Sequence, residues 1–274
     1  MRLTISAIIL TYNEERNIRD CLESIYKWVD EIFIIDSGST DKTLELAWKY
    51  TDKIYHHPFE NFAQQRNWAQ KILPIKNEWV FHLDADERVS PELASELRKI
   101  LYSNLDADGF MMPRRTIFRG RWIKYGGHYP VYHLRIFKKN RGKCEDRLYD
   151  QHYEVEGKTE RIKGYIINII DSDLKLWKQK HKRWAILEAQ EFLANRKLDI
   201  AIDHAMPMWQ RRWLRYRIYY KMPIFIRTFL YFFYRYFLRL GFLDGRQGLI
   251  FHFYQGFWYR FLVDLEIYRL KRKA

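Results

Sequence analysis

The chain has 274 residues, 47% of them hydrophobic, which suffices for one large domain, or a domain with an appendage, and a sizeable core. Two cysteines, Cys21 and Cys144, exclude a disulfide framework and point to reduced thiols in a cytosolic setting. The net charge of +14 calls for an anionic partner, and the apolar start, followed at once by Asn13-Glu14-Glu15, lacks a secretory cleavage pattern and reads as a strand.

Residues 4–10 form a continuous β-branched and apolar run, as a buried parallel strand should. Asn13 is placed to cap a helix running through Ile18, Leu22 and Ile25. A second strand is predicted over 31–35 and a second helix over 40–50. A short strand over 53–57 and a helix over 61–72 follow, then a strand over 78–83 and a helix over 91–102. This strand–helix alternation predicts an α/β fold with a mostly parallel, Rossmann-like sheet wound with helices. Ligands of such sheets bind in crevices beyond the carboxyl ends of the strands.

After Asp108 the pattern changes. Residues 109–113 and 134–138 read as strands, separated by an aromatic, glycine-bearing loop over 119–132. Residues 174–198 read as a long helix. From Met206 onward two or three amphipathic helices are expected, interrupted at Pro223 and over 241–248. The organisation expected is a wound α/β domain over 1–200 and a helical segment over 201–274.

From Met206 to Ala274 the chain holds 14 Lys and Arg against only Asp244, Asp264 and Glu266, and 22 of the 48 aromatic residues. A basic, aromatic surface suits an anionic membrane. Nucleic acid would also fit the charge and could stack on the rings. Arg227, Arg235 and Arg239 share one side of a helix, opposite Phe225, Phe229 and Phe232, which suits arginines at lipid headgroups. A core-packing helix pair with a solvated basic face gives the same pattern. The longest charge-free stretch, 247–259, is 13 residues. A membrane span needs roughly 18 or more, so contact with a membrane surface is expected and crossing is not.

Polar clusters sit at the predicted strand ends: Thr11-Tyr12-Asn13-Glu14-Glu15, Asp36-Ser37-Gly38-Ser39-Thr40-Asp41, and His82-Leu83-Asp84-Ala85-Asp86-Glu87. Each alone could be a turn with a helix cap, and the third could be the acidic approach to a helix begun at Pro91. An aspartate pair where strand gives way to loop also suits Mg2+ or Mn2+, which take carboxylate oxygens together with substrate phosphates. No G-x-G-x-x-G, P-loop or zinc spacing is present.

Taken together, residues 9–15, 35–41 and 83–87 resemble glycosyltransferase family 2, with the GT-A fold, in order and spacing across residues 1–103. Gln65-Arg66-Asn67-Trp68-Ala69, Leu134-Arg135-Ile136-Phe137, Trp177 with Lys180-His181, and Gly241-Phe242-Leu243-Asp244-Gly245 are similar to the branch containing lipopolysaccharide core glucosyltransferases of the WaaE type. The resemblance implies that Tyr12 and Glu14 line the pocket for the nucleotide base and that Asp36 contacts base or ribose. It places Arg66 near the diphosphate, Asp84 facing ribose and diphosphate, and Asp86 as the main metal ligand.

An inverting transfer also needs a base to accept the acceptor's proton. Related sequences usually show Val-His-Glu shortly before a glycine. This chain has Tyr149-Asp150-Gln151-His152 and then Gly157. Asp150 is the expected base, ahead of Glu154, Asp146 and His152. The activity implied is transfer of a hexose from a nucleotide sugar, a UDP-sugar, to a lipid-linked saccharide or lipopolysaccharide core. The expected place is the cytoplasmic face of a bacterial inner membrane, peripherally bound and without a nucleic-acid partner. The rival readings are a nucleotidyltransferase, which can share a wound sheet and acidic metal site, and a non-enzymatic binder using the basic tail.

Overall fold

A computed structural model describes residues 3–102, 106–170, 174–194 and 207–273. The strands are β1 (Leu3–Thr11), β2 (Val29–Asp36), β3 (Ile54–His56), β4 (Trp79–Asp84), β5 (Glu87–Val89), β6 (Gly109–Phe118), β7 (Arg121–Ile123), β8 (Tyr132–Lys138), β9 (Gly142–Cys144), β10 (Tyr153–Val155), β11 (Thr159–Arg161) and β12 (Ile166–Ile170). The helices of the sheet region are α1 (Ile18–Glu23), α2 (Thr43–Ala47), α3 (Phe62–Ile72) and α4 (Pro91–Tyr102). Those that follow are α5 (Leu174–Ala194), α6 (Pro207–Arg217), α7 (Ile226–Phe233), α8 (Gly245–His252) and α9 (Tyr259–Lys273).

The chain divides into two compact units interleaved in sequence. One comprises Met1–Arg115, His133–Arg147 and Gln151–Ile169; the other comprises Thr116–Tyr132, Leu148–Asp150 and Ile170–Ala274. The expected boundary at residue 200 and the expected end of the long helix both lie outside the described residues.

In the first unit, β3-β2-β1-β4 pair in parallel. β1 is buried on both faces, as its unbroken apolar run requires. Ile5, Ala7 and Ile9 share a core with Ile18, Leu22 and Ile25 from the α1 side and with Leu93 and Leu97 of α4. Beyond β4 the sheet changes character: β8 is antiparallel to β4, and β6, β12 and β5 follow. The sheet is therefore mixed, its parallel half being the one that the sequence pattern foretells.

Asn13 does not cap a helix. It sits at φ 53, and α1 begins later, with Asn17 at its N-cap position. Asn61 does cap α3, its side chain accepting from Gln64 N. Strands β5, β9, β10 and β11 are three residues each and give no periodic signal. Cys21 and Cys144 are buried and unbridged.

In the second unit α5 packs on α9, with Ala185, Ala189 and Phe192 against Tyr259, Val263 and Ile267. Pro223 interrupts the helices as expected. The arginine face expected to meet lipid headgroups is not there as a set. Arg227 is 1% exposed, and its Nε donates to Asp264 Oδ1 at 2.8 Å. Arg235 Nε donates to the Gly126 carbonyl at 2.6 Å. Of the three, only Arg239 is exposed. A guanidinium inside the protein must be paired, and Asp264 supplies the partner that no local pattern reveals.

Candidate active site

The parallel strands end level with one another. Thr11 pairs with Asp36, Leu10 with Asp84, and Asp36 with His56. The three polar clusters thus project from one edge of one sheet, where connecting loops leave room for a ligand.

The first two loops are sewn together. Asn13 N donates to Ser39 Oγ at 2.9 Å, and its Oδ1 accepts from Thr40 N at 2.8 Å. Glu14 N donates to Thr43 Oγ1 at 2.8 Å, and Glu15 N to Asp41 Oδ2 at 3.1 Å. The left-handed Asn13 turns its backbone and side chain toward the second loop, which explains why it is an asparagine without a helix to cap.

Asp36 is buried and holds its own loop. Its Oδ2 accepts from Gly38 N and Ser39 N, both at 2.9 Å, and its Oδ1 accepts from Ser39 Oγ at 2.5 Å. Gly38 takes φ 92, a conformation a side chain would strain. Tyr12 projects from the same edge with 58% of its surface exposed. Glu14 is half-buried, its Oε2 accepting from Asn17 Nδ2 at 2.7 Å.

Asp84 sits between two guanidiniums. Arg66 Nη2 donates to Oδ1 and Arg135 Nη2 to Oδ2, each at 3.0 Å. Burial by itself would raise the Asp84 carboxyl, but Arg135 and Arg66 hold it well below the usual carboxylate range. Arg135 also reaches Glu87 Oε1 at 2.7 Å, and Arg114 lies 3.6 Å from the same oxygen. Glu87 is fully buried and accepts from Asp84 N at 3.1 Å. His82 packs against the rings of Phe137 and Tyr153, at 5.5 and 4.7 Å between centroids. Burial and the charges of Arg66 and Arg135 push it down to about 3, so it stays neutral at physiological pH.

Asp86 has the opposite environment. It follows β4 in a tight turn, and among the described residues no donor meets its carboxylate. Burial pushes it up to about 7, and the negative charges of Asp84, Glu87 and Glu14 add to the rise. Glu14 and Asp86 therefore feel each other across two different loops. A carboxylate crowded by its own sign and lacking a donor fits a cation. Among the described residues no group of three or more His, Cys, Asp or Glu side chains is arranged to hold a metal. Mg2+ in general binds through one or two carboxylates together with substrate phosphates.

A pH dependence follows. Between the ordinary aspartate value of ~3.9 and about 7, folded Asp86 keeps a proton that the unfolded chain has lost. Its contribution to stability therefore falls as pH rises through that window. Above that window the deprotonated carboxylate is free to accept a divalent cation if one is supplied. In thermal melts, saturating Mn2+ or Mg2+ should raise Tm by roughly 5–10 °C at pH 8 and barely at pH 5.5. Asp86→Asn should remove the metal response; an equal response at both pH values would contradict this reading.

Asp150 belongs to the second unit and is not among the residues that the first unit gathers. It sits at φ 58, its Oδ2 accepting from Arg215 Nη1 at 2.8 Å and its carbonyl from Arg212 Nη2 at 2.8 Å. Asp146 is exposed, and Glu154 lies on β10 opposite Lys143. The His152 backbone bridges Glu145: its N–H donates to the Glu145 carboxylate at 3.0 Å, and its carbonyl accepts from Glu145 N at 2.9 Å. Sequence reasoning assigned no role to Glu87, Arg114 or Arg135. The one available signal was Arg135 itself, a cation inside the apolar run Leu134–Phe137, which had to have a buried partner.

The Glycosyl transferase family 2 description matches residues 6–153. The lipopolysaccharide core biosynthesis glycosyltransferase LpsC of Rhizobium meliloti (strain 1021) is 26% identical over 98% of this chain and 93% of its own. An uncharacterized glycosyltransferase of Rickettsia bellii (strain RML369-C) is 37% identical over 99 residues, 36% of this chain and only 33% of that protein. Among solved structures, S. aureus TarS 1–349 in complex with UDP has a TM-score of 0.49 at 14% identity, covering 100% of this chain and 92% of that one. Glucosyl-3-phosphoglycerate synthase from Mycobacterium tuberculosis, in complex with Mn2+ and UDP-glucose, has a TM-score of 0.35 at 22% identity, over 40% of this chain and 43% of that one.

Proposed function

The chain belongs to glycosyltransferase family 2, with the GT-A fold, and on that premise we propose that it moves a hexose, with inversion, from a UDP-sugar to a lipid-linked saccharide or lipopolysaccharide core. The proposed setting is the cytoplasmic face of a bacterial inner membrane. The near-full-length likeness to LpsC supports the acceptor class. No helix among the described residues is long and apolar enough to cross a membrane. The observation that carries the reading is the donor-free Asp86 carboxylate, sharing one sheet edge with Asp84 and Glu14.

In this mechanism the exposed Tyr12 ring and Glu14 receive the nucleotide base, and the loop held by Asp36 forms the wall of the ribose pocket. Asp86 would hold a divalent cation, with Asp84 alongside; when bound, the ion supplies positive charge to the departing diphosphate. Arg66 stands beside Asp84 and offers a second cation to the same phosphates. Arg135, held by Glu87, keeps Asp84 in place. The acceptor hydroxyl attacks the anomeric carbon from the far side as the sugar–phosphate bond breaks.

Asp150 is proposed to take the hydroxyl proton, and its ion pair with Arg215 provides the test. Asp150→Asn should lower kcat about 10²–10⁴-fold with the donor KM unchanged. Arg215→Met removes a cation from beside the base, so the acid limb of the pH–rate profile should move to higher pH. If Asp150→Asn stays near wild-type activity, the role passes to Asp146 or Glu154. For the reaction as a whole, the purified chain is incubated with UDP-sugars, Mn2+ or Mg2+ and a lipid-attached core acceptor, and products are weighed by mass spectrometry. Nucleoside diphosphate and a hexose-extended acceptor are expected. Pyrophosphate as the product would instead mark a nucleotidyltransferase.

A further inference from the structure

Helix α7 is turned inside out. Its buried residues are Arg227 and Thr228, both bonded to the buried Asp264. Ile226, Phe229, Leu230 and Phe233 are each half or more exposed. A helix packed on a protein core for solubility shows the reverse. The exposed apolar surface continues past the helix through Phe237 and Leu238, and through Phe242 and Leu243 in the turn before α8. It is contiguous: Phe233 meets Phe237 at 5.0 Å between ring centroids, Phe237 meets Tyr236 at 5.2 Å, and Tyr236 meets Phe242 at 6.3 Å. Isolated apolar side chains are ordinary on a surface, but a continuous patch marks a docking face.

Charge identifies the occupant. Over residues 207–273 the acidic residues are Asp244, Asp264 and Glu266. The first two are buried, and Glu266 is bound to Arg269 at 2.6 Å. Lys221, Arg239 and Arg246 are exposed in the same stretch as the apolar face. The segment thus shows apolar rings and positive charge with no free negative charge to answer it. We propose that this face, centred on Phe229 and Phe233, is a wedge that inserts into one leaflet of an anionic bilayer, with the basic residues at headgroup level. Residues 226–238 reach only about 20 Å at 1.5 Å per residue, against ~30 Å of hydrocarbon, so the helix lies within the interface. A second copy of the chain would satisfy the rings but would press two basic surfaces together. The proposal deepens the membrane-surface reading above and rests on it for the acceptor's location.

The test is flotation of the full chain, purified without detergent, with vesicles of phosphatidylcholine, alone or mixed with phosphatidylglycerol. Binding is expected to the anionic vesicles, with marked weakening on neutral ones and in ~1 M salt, where the Debye length is ~3 Å. Because both rings are exposed, the Phe229→Ser Phe233→Ser variant should keep the wild-type melting temperature and, with a detergent-dispersed core saccharide supplying the attacking hydroxyl, transfer hexose and release UDP at the wild-type rate. Its vesicle partitioning should fall about a hundredfold or more. Equal partitioning by wild type and variant, or no flotation of the wild type, overturns the wedge. So does a concentration-dependent dimer in sedimentation velocity that the double substitution dissociates. UDP release is scored separately: its absence from a wild type that floats overturns the catalytic reading and leaves the wedge supported.

Discussion

Asp86→Asn should lower turnover about a thousandfold, ~4 kcal/mol of barrier, without lowering stability. The substitution keeps the size of the side chain and removes a charge that burial and the neighbouring Asp84, Glu87 and Glu14 already disfavour. At pH 8 without metal the variant should therefore melt at or above the wild-type temperature. The catalytic loss has a different origin. As the sugar leaves, negative charge grows on the diphosphate, and an amide is a much poorer ligand than a carboxylate for the hard cation that would meet it. The loss should fall on kcat more than on donor KM, since the interaction strengthens as the bond breaks. Steady-state kinetics with a circular dichroism melt would check both halves. A variant that is inactive because it is unfolded, or one that keeps full activity under chelation, would remove Asp86 from the mechanism.

Arg135→Met should lower the melting temperature by roughly 6–20 °C, the counterpart of about 3–5 kcal/mol for leaving a buried ion unpaired. Arg135 is the cation that answers both Asp84, at 3.0 Å, and the fully buried Glu87, at 2.7 Å. Arg114, 3.6 Å from Glu87 and partly exposed, offers only weaker compensation. Adding Glu87→Gln to Arg135→Met should recover much of the loss, because the stranded charge is then gone. If the double variant is less stable than Arg135→Met alone, the cost lies in packing and the charge account is wrong. Activity should not follow stability in the rescued protein. Asp84 would still lack the guanidinium that holds its Oδ2, so turnover should stay depressed even when the fold has recovered.

These two residues show how unevenly the site could be read from the chain. Asp86 stood out because an acidic pair closes an apolar strand, and the pattern is contained in six consecutive residues. Arg135 is a cation among Leu134, Ile136 and Phe137, a signal left unused in the sequence, and its partners lie 51 and 48 positions away. Nothing local connects them. Glu87 belongs to a three-residue strand of mixed polarity that no periodicity announces, placed at the end of the sheet by its pairing with β12. Asn13 carried the right composition for a helix cap, and its side chain went to the neighbouring loop instead.

The chain by itself determined the parallel strands, the helices between them and the carboxylates at their ends, because strand and helix periods and turn residues act over a few positions. Only the tertiary structure decided which cations answer those carboxylates, that the sheet continues in antiparallel strands, and that Arg227 faces inward while Phe229 and Phe233 face out. An amphipathic stripe states that a helix has two faces; which one is buried depends on what the rest of the chain places against it, and here that was Asp264.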